Sequence, residues 1–373
     1  MSAFKIFFLQ KIYLAFINKF KNQSFSDPIV CKAPFRSIFF DFHGNAYPCC
    51  ENKTYSYGKY PNQSIHEIWF GEKINKFRLL IKKRNLDHGC VSCKPALTPG
   101  NGQITKSTYY ECVPGTEKYP SRIEFQLSNQ CNLECFMCDS YSSSVIRGKI
   151  GLKQYHNPYD DSFVEQLEEF IPFLKQTHFV GGEPFMIPVF FKIWEKIISL
   201  NPQCEIIVQT NATVFNENIK SLLERGRFSF NISIDSLKKD MYERIRKNAR
   251  FEDTMAHIYY FIDYCRRKKT DLKLTACPMQ QNWTEIPDLI RFSNKNDIKI
   301  HFHTVLFPAR VSFFGCTREE LNNIYIKLSE VKINSQTITA QYNLKSFNHL
   351  LYQLKHFYTN YDIKEKFKHK DLV

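Results

Sequence analysis

The chain has 373 residues, a formal charge of +14 and thirteen cysteines. That length is enough for one large domain and a smaller one. Cysteines in paired short spacings, in a large chain with no cleavable leader, argue against a secreted disulfide scaffold and for thiolate ligation in a reducing, cytoplasmic compartment. The positive charge suits a solvated lysine-rich surface, with nucleic acid, an anionic membrane or an acidic substrate as specific alternatives.

Residues 1–27 are expected to form a basic, apolar helix. Lys5, Lys11, Lys19 and Lys21 interrupt its apolar runs, so none reaches the length of a membrane span. Docking on the protein body is the main expectation, and weak contact with a membrane surface the lesser one.

Residues 28–97 are rich in cysteine, with Cys31, Cys49, Cys50, Cys90 and Cys93, and with Gly44 five positions before Cys49. The run CKAPFRSIFFDFHGNAYPCCEN, then SIHEIWFGEKINKFR, then CVSC resembles the twitch half of SPASM domains, in which a short hairpin and a helix hold one auxiliary cluster. The resemblance implies Cys31, Cys49, Cys90 and Cys93 as ligands of an auxiliary 4Fe-4S cluster, with Cys50 a rival for the second place. Four protein ligands leave no open iron, which suits electron relay better than substrate binding. A zinc ribbon is the alternative, since tetrahedral zinc uses similar cysteine spacing. Familiar members carry this domain after their barrel, whereas here it comes first. The stretch 98–120, rich in Gly, Pro and Thr, reads as a linker, and its Cys112 as a plain thiol.

From residue 121 to 316 strand-like and helix-like segments alternate, the pattern of a parallel α/β fold. Strands are expected at 122–128, 177–182, 205–211, 228–235, 272–277 and 299–305. Helices are expected at 161–175, 188–200, 216–225, 238–269 (in two pieces) and 284–296. Ile123, Phe125 and Leu127 interleave with Glu124, Gln126 and Ser128, and the later strands alternate likewise. Period two puts each set on one face of the sheet. Helices must cover the apolar face, so the polar face is expected to line an open barrel that holds a polar ligand.

The run SNQCNLECFMCDS follows the first strand and places Cys131, Cys135 and Cys138 as Cys-x3-Cys-x2-Cys. Three thiolates can hold a cubane while leaving its fourth iron open for a substrate. At this point the chain resembles the radical SAM superfamily. The resemblance implies a partial (β/α)6 barrel, a 4Fe-4S cluster whose open iron binds S-adenosyl-L-methionine, and its reductive cleavage to a 5′-deoxyadenosyl radical. Met137 stands where relatives place an aromatic residue beside the adenine. Gly181-Gly182-Glu183-Pro184 looks like the superfamily's GGE motif, which holds the amino group of the methionine moiety. Asn211 is expected near the ribose, and Ser233, Asp235 and Arg246 near the SAM carboxylate, with Arg244 the neighbouring alternative to Arg246.

Two further residues are candidates by strand position. Cys277 could donate a hydrogen atom to a substrate radical or be a packing thiol, and His303, beside His301, could be a general base or a wall residue. Lys273 is expected on the same polar face. Residues 317–373 read as a helical extension with a basic tail. The expected protein is therefore α/β, a partial (β/α)6 barrel with a small N-terminal auxiliary-cluster domain and a helical C-terminal extension. A peptide or protein is the first expectation for its substrate, and a sugar, small metabolite or RNA the second, with a non-catalytic zinc-ribbon binding protein as the reading outside enzymology. An external one-electron reductant such as flavodoxin or ferredoxin is the implied partner.

Overall fold

The computed structural model describes residues 31–90, 93–94, 106–111, 113–116 and 118–361. The expected N-terminal helix 1–27, Cys112 and the basic tail after 361 lie outside the described residues. The strands are β1 Ser37–Phe40, β2 Asn45–Tyr47, β3 Gly58–Lys59, β4 Arg122–Phe125, β5 Glu134–Cys135, β6 Gln176–Phe179, β7 Glu205–Thr210, β8 Phe228–Ser233, β9 Arg246–Lys247, β10 Leu272–Ala276 and β11 Lys299–Phe302. The chain is an α/β protein with mostly parallel pairing, and the six strands β4, β6, β7, β8, β10 and β11 alternate with helices along it.

Two compact units make up the chain. The first runs to Cys131 and adds Arg147–Gln209 and Phe215–Ser229; the second comprises Asn132–Ile146, Thr210–Val214 and Phe230 onward.

In the first unit the strand order is β7-β6-β4-β1-β2-β3. β1 lies parallel to β4, with Phe39 opposite Glu124 and Phe40 opposite Phe125. The cysteine-rich segment thus continues the sheet of the first barrel strand. β1 and β2 form an antiparallel hairpin. Its turn is fixed by Asp41, whose Oδ1 accepts from the backbone N–H of His43 and of Asn45, both at 2.9 Å. Gly44 sits at φ +86°, where a Cβ would lie 2.1 Å from the Tyr60 carbonyl oxygen, so the turn requires glycine. The apolar face of the sheet is aromatic. Phe125 stacks on Phe179 at 4.9 Å, Phe40 meets Phe163 edge-on at 5.3 Å, and Phe179 meets Trp194 at 5.3 Å. Each such ring removed from water contributes about 1.5–3 kcal/mol, so the alternation read from sequence is also the main source of cohesion here.

The helix expected over 161–175 is shorter than that pattern suggested. It covers Asp161–Gln166 and continues as two 3-10 turns, Leu167–Glu169 and Ile171–Phe173. Pro172 lies in the second of these turns, and a proline inside an α-helix removes a donor and clashes with the preceding turn. The stretch 98–120 holds a helix, Lys106–Glu111, whose Tyr110 is 1% exposed.

In the second unit the strand order is β11-β10-β8, all parallel, and β5 pairs with β9 as a separate two-stranded ribbon. Phe230 packs on Phe261 of the long helix Phe251–Lys268 at 4.4 Å. Two helices, Arg318–Ser329 and Ile338–Thr359, form the C-terminal extension. From the second of them, the fully buried Asn343 accepts from Ile300 N at 2.7 Å and donates to Ile298 O at 3.0 Å. A strand at the end of a sheet presents unpaired backbone groups, and this one asparagine satisfies two of them beside β11.

Candidate active site

The hairpin and the segment around residues 88–93 bring the cysteines of the first unit together. Cys49 is buried, and its thiol is pushed well above its ordinary pKa by burial and by the charges of Cys50, Cys31 and Cys93. Cys90 is pushed up to about 12 by burial and by Cys31 and Cys93. Cys31, Cys49, Cys90 and Cys93 therefore share one electrostatic neighbourhood, with Cys50 beside Cys49. Thiols that raise one another's pKa are a donor set that a polynuclear cation would relieve by taking all of them as thiolates. Among the described residues, no group of three or more His, Cys, Asp or Glu is arranged to hold a single metal ion.

Asn52 ties this pocket together. Its Nδ2 donates to His88 O at 2.9 Å and lies 3.6 Å from Cys90 Sγ, while its Oδ1 accepts from Thr54 N and Tyr55 N at 3.1 and 3.0 Å. Tyr110 and Ala33 pack against Cys49, with Cys31 and Tyr109 at the margin. The Tyr110 hydroxyl donates to Glu124 Oε1 on β4. Glu124 Oε2 lies 3.4 Å from His178 Nδ1 on β6, and its Oε1 is 3.5 Å from Arg122 Nε. A buried, hydrogen-bonded network thus runs from the cysteine pocket to the polar face of β4 and β6. Nothing in the sequence pattern singled out Asn52 or Tyr110. Asn52 stands two places past Cys50 without periodicity, and Tyr110 lies in a stretch whose composition reads as linker.

In the same unit the GGE turn is built against the approach to Cys131. Gly181 and Gly182 have φ of +93° and +52°, and Cβ atoms there would lie 2.7 Å from Ser128 O and 2.0 Å from Gln130 O. Glu183 N donates to Gln130 O at 2.7 Å. Glycine is required twice because the backbone of Ser128–Gln130 leaves no room for a side chain, a cradle that suits close approach of backbone to a ligand. Glu183 is fully buried and its carboxylate accepts from Phe185 N at 3.2 Å; Pro184 opens the short turn that follows.

In the second unit the cluster loop is pinned by β5 and β9. Cys135 pairs with Arg246 across the ribbon, Phe136 N donates to Ile245 O at 2.9 Å, and Cys138 N donates to Cys135 O at 3.0 Å. The Cys135 thiol is held below its ordinary pKa by a hydrogen bond with Cys138, helped by Arg246 and opposed by burial. Asn132, one place past Cys131, donates to Thr213 Oγ1 at 2.8 Å and accepts from Asn211 Nδ2 at 3.1 Å, so the loop is also tied to the Asn211–Thr213 segment of the same unit.

The Arg246 guanidinium forms a buried ion pair with Asp235 at 2.8 Å. Burial opposes its charge, yet Asp235 and Cys135 raise its pKa above the ordinary arginine value. Asp235 Oδ1 also accepts from Cys277 N at 2.6 Å, and burial pushes its carboxyl up against the pull of Arg246. Asp235 is therefore engaged within the protein, and Arg244, the neighbouring alternative, keeps Nη2 3.4 Å from Met241 Sδ. Cys277, its thiol raised by burial and by Asp235, packs with Met137 and Phe136 against the apolar cluster of Ile245, Met279, Val305 and Val311. Asn282, which no sequence motif marks, donates to Asp235 O at 2.8 Å and Cys277 O at 3.1 Å. Ser233 Oγ stands 3.5 Å from Thr275 Oγ1.

His301 and His303 rings meet edge-on at 4.8 Å. His303 is exposed, one residue past β11, and its N–H donates to Ala276 O at 2.8 Å. Lys273 lies 5.9 Å over the Tyr342 ring of the C-terminal extension.

The strand-and-loop build, the three-cysteine loop, the glycine cradle and the separate cysteine pocket define an iron-sulfur enzyme of the α/β class. The radical SAM superfamily model matches residues 125–293, and that of the SPASM iron-sulfur cluster-binding domain matches residues 31–94. The chain is a radical SAM enzyme with a SPASM domain ahead of its radical SAM domain, and its cofactors are a 4Fe-4S cluster with S-adenosylmethionine and an auxiliary iron-sulfur cluster. A GTP 3′,8-cyclase of Clostridium perfringens is 25% identical over 236 residues, 60% of this chain and 68% of that one. The GTP 3′,8-cyclase of Streptomyces coelicolor is 24% identical over 186 residues, 48% of this chain and 51% of that one. Among solved structures, native anSMEcpe with bound AdoMet has a TM-score of 0.42 at 18% identity, covering 56% of this chain and 60% of that one. Streptococcus suis SuiB bound to S-adenosylmethionine has a TM-score of 0.41 at 14% identity, covering 71% and 59%. The chain thus spans about half the length of the Streptomyces relative and less than two thirds of either solved chain. Among the described residues no helix is long and apolar enough to cross a membrane.

Proposed function

We propose that this enzyme oxidises a peptide or protein substrate, with the SPASM domain receiving the second electron. Bound to the open iron, S-adenosylmethionine supplies the 5′-deoxyadenosyl radical that removes a hydrogen atom from carbon. Cys131, Cys135 and Cys138 are the proposed ligands of that cluster, and Cys31, Cys49, Cys90 and Cys93 those of the auxiliary one. The GGE turn with Met137, Asn211, Ser233 and Arg246 are the proposed SAM contacts, with Asp235 orienting Arg246. Cys277 and His303 are the proposed substrate-side residues.

The observation that carries the reading is the parallel pairing of β1 with β4, which makes the cysteine hairpin a continuation of the first barrel strand's sheet. The order of the domains along the chain is then no obstacle to relay. The GTP 3′,8-cyclase relatives suggest a nucleotide substrate as a second reading. A triphosphate needs several basic side chains free to meet it. On the polar faces of the described strands Arg122 is paired with Glu124 and Gln176, while Lys273 and Lys299 lie over Tyr342. That balance favours the peptide reading.

The test uses reconstituted enzyme, dithionite and S-adenosylmethionine with a deuterated cell extract fractionated by size. Deuterium entering 5′-deoxyadenosine from the peptide and protein fraction supports the proposal. Deuterium arriving from GTP, with loss of the nucleotide, would sink it.

A further inference from the structure

Lys53 follows the second cysteine of the hairpin by three places, and its ammonium is buried. The Nζ lies 3.4 Å from the centre of the Phe39 ring and 5.2 Å from that of Tyr47. Among the described residues it has no hydrogen-bond partner. An ammonium in such a place carries a large desolvation cost that two aromatic faces offset only in part. Burial accordingly lowers its pKa to about 8, against the opposing charges of Asp41, Cys50, Cys49 and Glu124.

The two carboxylates in reach are engaged elsewhere. Asp41 accepts from His43 N, Asn45 N and Asn45 Nδ2, which close the hairpin turn. Glu124 is shared among Tyr110, His178 and Arg122. The ammonium therefore has no direct hydrogen-bond partner among the described residues, and besides these two carboxylates the charges that act on it are those of Cys50 and Cys49. Phe39, over which Lys53 lies, stands opposite Glu124 in the β1–β4 register, so the charge sits where the cysteine hairpin meets the first barrel strand.

We propose that Lys53 is the counter-charge of the auxiliary cluster and a positioning residue for its reduction potential. The inference rests on the reading that Cys31, Cys49, Cys90 and Cys93 hold that cluster. A cluster bound by four thiolates is anionic, and one-electron reduction adds a further negative charge. A fixed positive charge in a low-dielectric pocket favours the reduced form. Its effect is to make the auxiliary cluster a better acceptor of one electron from a substrate radical, whose proton leaves separately. Phe39 and Tyr47 hold the chain of Lys53 in place without neutralising it.

The test compares full-length proteins carrying Cys131→Ala, Cys135→Ala and Cys138→Ala, so that only the auxiliary cluster is present, with and without Lys53→Met. Each is titrated with dithionite under argon and followed by electron paramagnetic resonance, with iron and sulfide measured on the same samples. Lys53→Met is expected to make reduction about tenfold less favourable, about 59 mV lower for a one-electron couple, at unchanged iron and sulfide. Lys53→Arg should keep the parent potential. An unchanged potential in Lys53→Met at full iron overturns the inference and leaves the cluster assignment standing. Zinc without sulfide in the parent removes the cluster and the inference together. If Lys53→Met assembles no cluster, Lys53→Gln and Lys53→Arg decide: a lower potential in Gln alone supports the role, and equal potentials overturn it.

Discussion

In the first unit the thiols of Cys49 and Cys90 are driven up by burial and by one another, whereas in the second the Cys135 thiol is held down by Cys138 and Arg246. The auxiliary pocket gathers cysteines from segments far apart in sequence, with Cys49 buried and the others partly exposed, and leaves the Cys49 and Cys90 thiols reluctant to ionise until a cation takes them. The three-cysteine loop draws its cysteines from eight consecutive residues and holds the Cys135 thiol below its ordinary pKa beside the buried Arg246. Thiols that raise one another's pKa suit a site that stores charge; a thiol whose ionisation a neighbouring cation favours suits a cluster that must present an open iron.

The sharpest test of that contrast is to remove one set and count what is left. Changing Cys131, Cys135 and Cys138 together to Ala should abolish 5′-deoxyadenosine formation under dithionite, while about four irons per chain remain. Continued cleavage of S-adenosylmethionine would show that the loop is not the catalytic cluster site. Residual zinc in place of iron would turn the first unit into a zinc ribbon.

Gly182→Ala comes next in size. Its Cβ would fall 2.0 Å from Gln130 O at a φ of +52°, so the GGE turn must part from the strand-to-loop passage before Cys131. Non-glycine strain with a backbone clash costs about 1–3 kcal/mol. Binding of S-adenosylmethionine, measured by equilibrium dialysis, should weaken at least tenfold, with auxiliary iron unchanged. Equal binding would mean the cradle serves packing alone.

Asn52→Ala probes the other side at smaller amplitude. Removing the amide frees His88 O, Thr54 N and Tyr55 N and takes the hydrogen-bonding group away from Cys90. Loss of an outer partner of a ligand typically costs 10–100-fold in metal affinity. Auxiliary iron should therefore be lost faster to a chelator, with the three-cysteine cluster retained. Equal release rates would argue that Asn52 shapes the loop without serving the ligands.

These effects also mark what could be read in advance. The six strands that alternate with helices were legible because period-two alternation is a local property, and the three-cysteine loop because its cysteines fall within eight consecutive residues. Gly181 and Gly182 were legible as a pair, though not the reason for them, which is the backbone of Ser128–Gln130. The pairing of β1 with β4 joins segments some eighty-five residues apart, and no local pattern encodes that partner. Tyr110 and Lys53 escaped for the same reason: a tyrosine in a Gly- and Pro-rich stretch and one lysine among many gain meaning only beside Glu124 and the cysteines. The Asp235–Arg246 pair was legible as two residues and not as a bond, since nothing local directs the arginine toward the aspartate.

The smallest predicted effect is a pH dependence with opposite signs in the two neighbourhoods. Cys90 has a raised pKa of about 12 in the fold against an ordinary 9.0. The metal-free folded state therefore keeps a proton that the unfolded chain gives up above pH 9. Folding stability from this group is fully present below pH 9 and declines as pH rises toward 12. A shift of one pKa unit corresponds to about 1.4 kcal/mol, so the loss by pH 10 is about 1 kcal/mol, the thiol being only partly shielded from water. Cys135 is an acid with a lowered pKa, so its contribution is present above the ordinary thiol range and fades as pH falls through its folded value. Urea denaturation of metal-free protein at pH 8 and pH 10 should show a stability loss that Cys90→Ser reduces and Cys135→Ser enlarges. Serine does not titrate in this range, so each substitution subtracts one thiol's share from the background of lysines and tyrosines. Changes of the same sign in both variants would mean that the two neighbourhoods are electrostatically alike, and the contrast between storage and presentation would lose its physical basis.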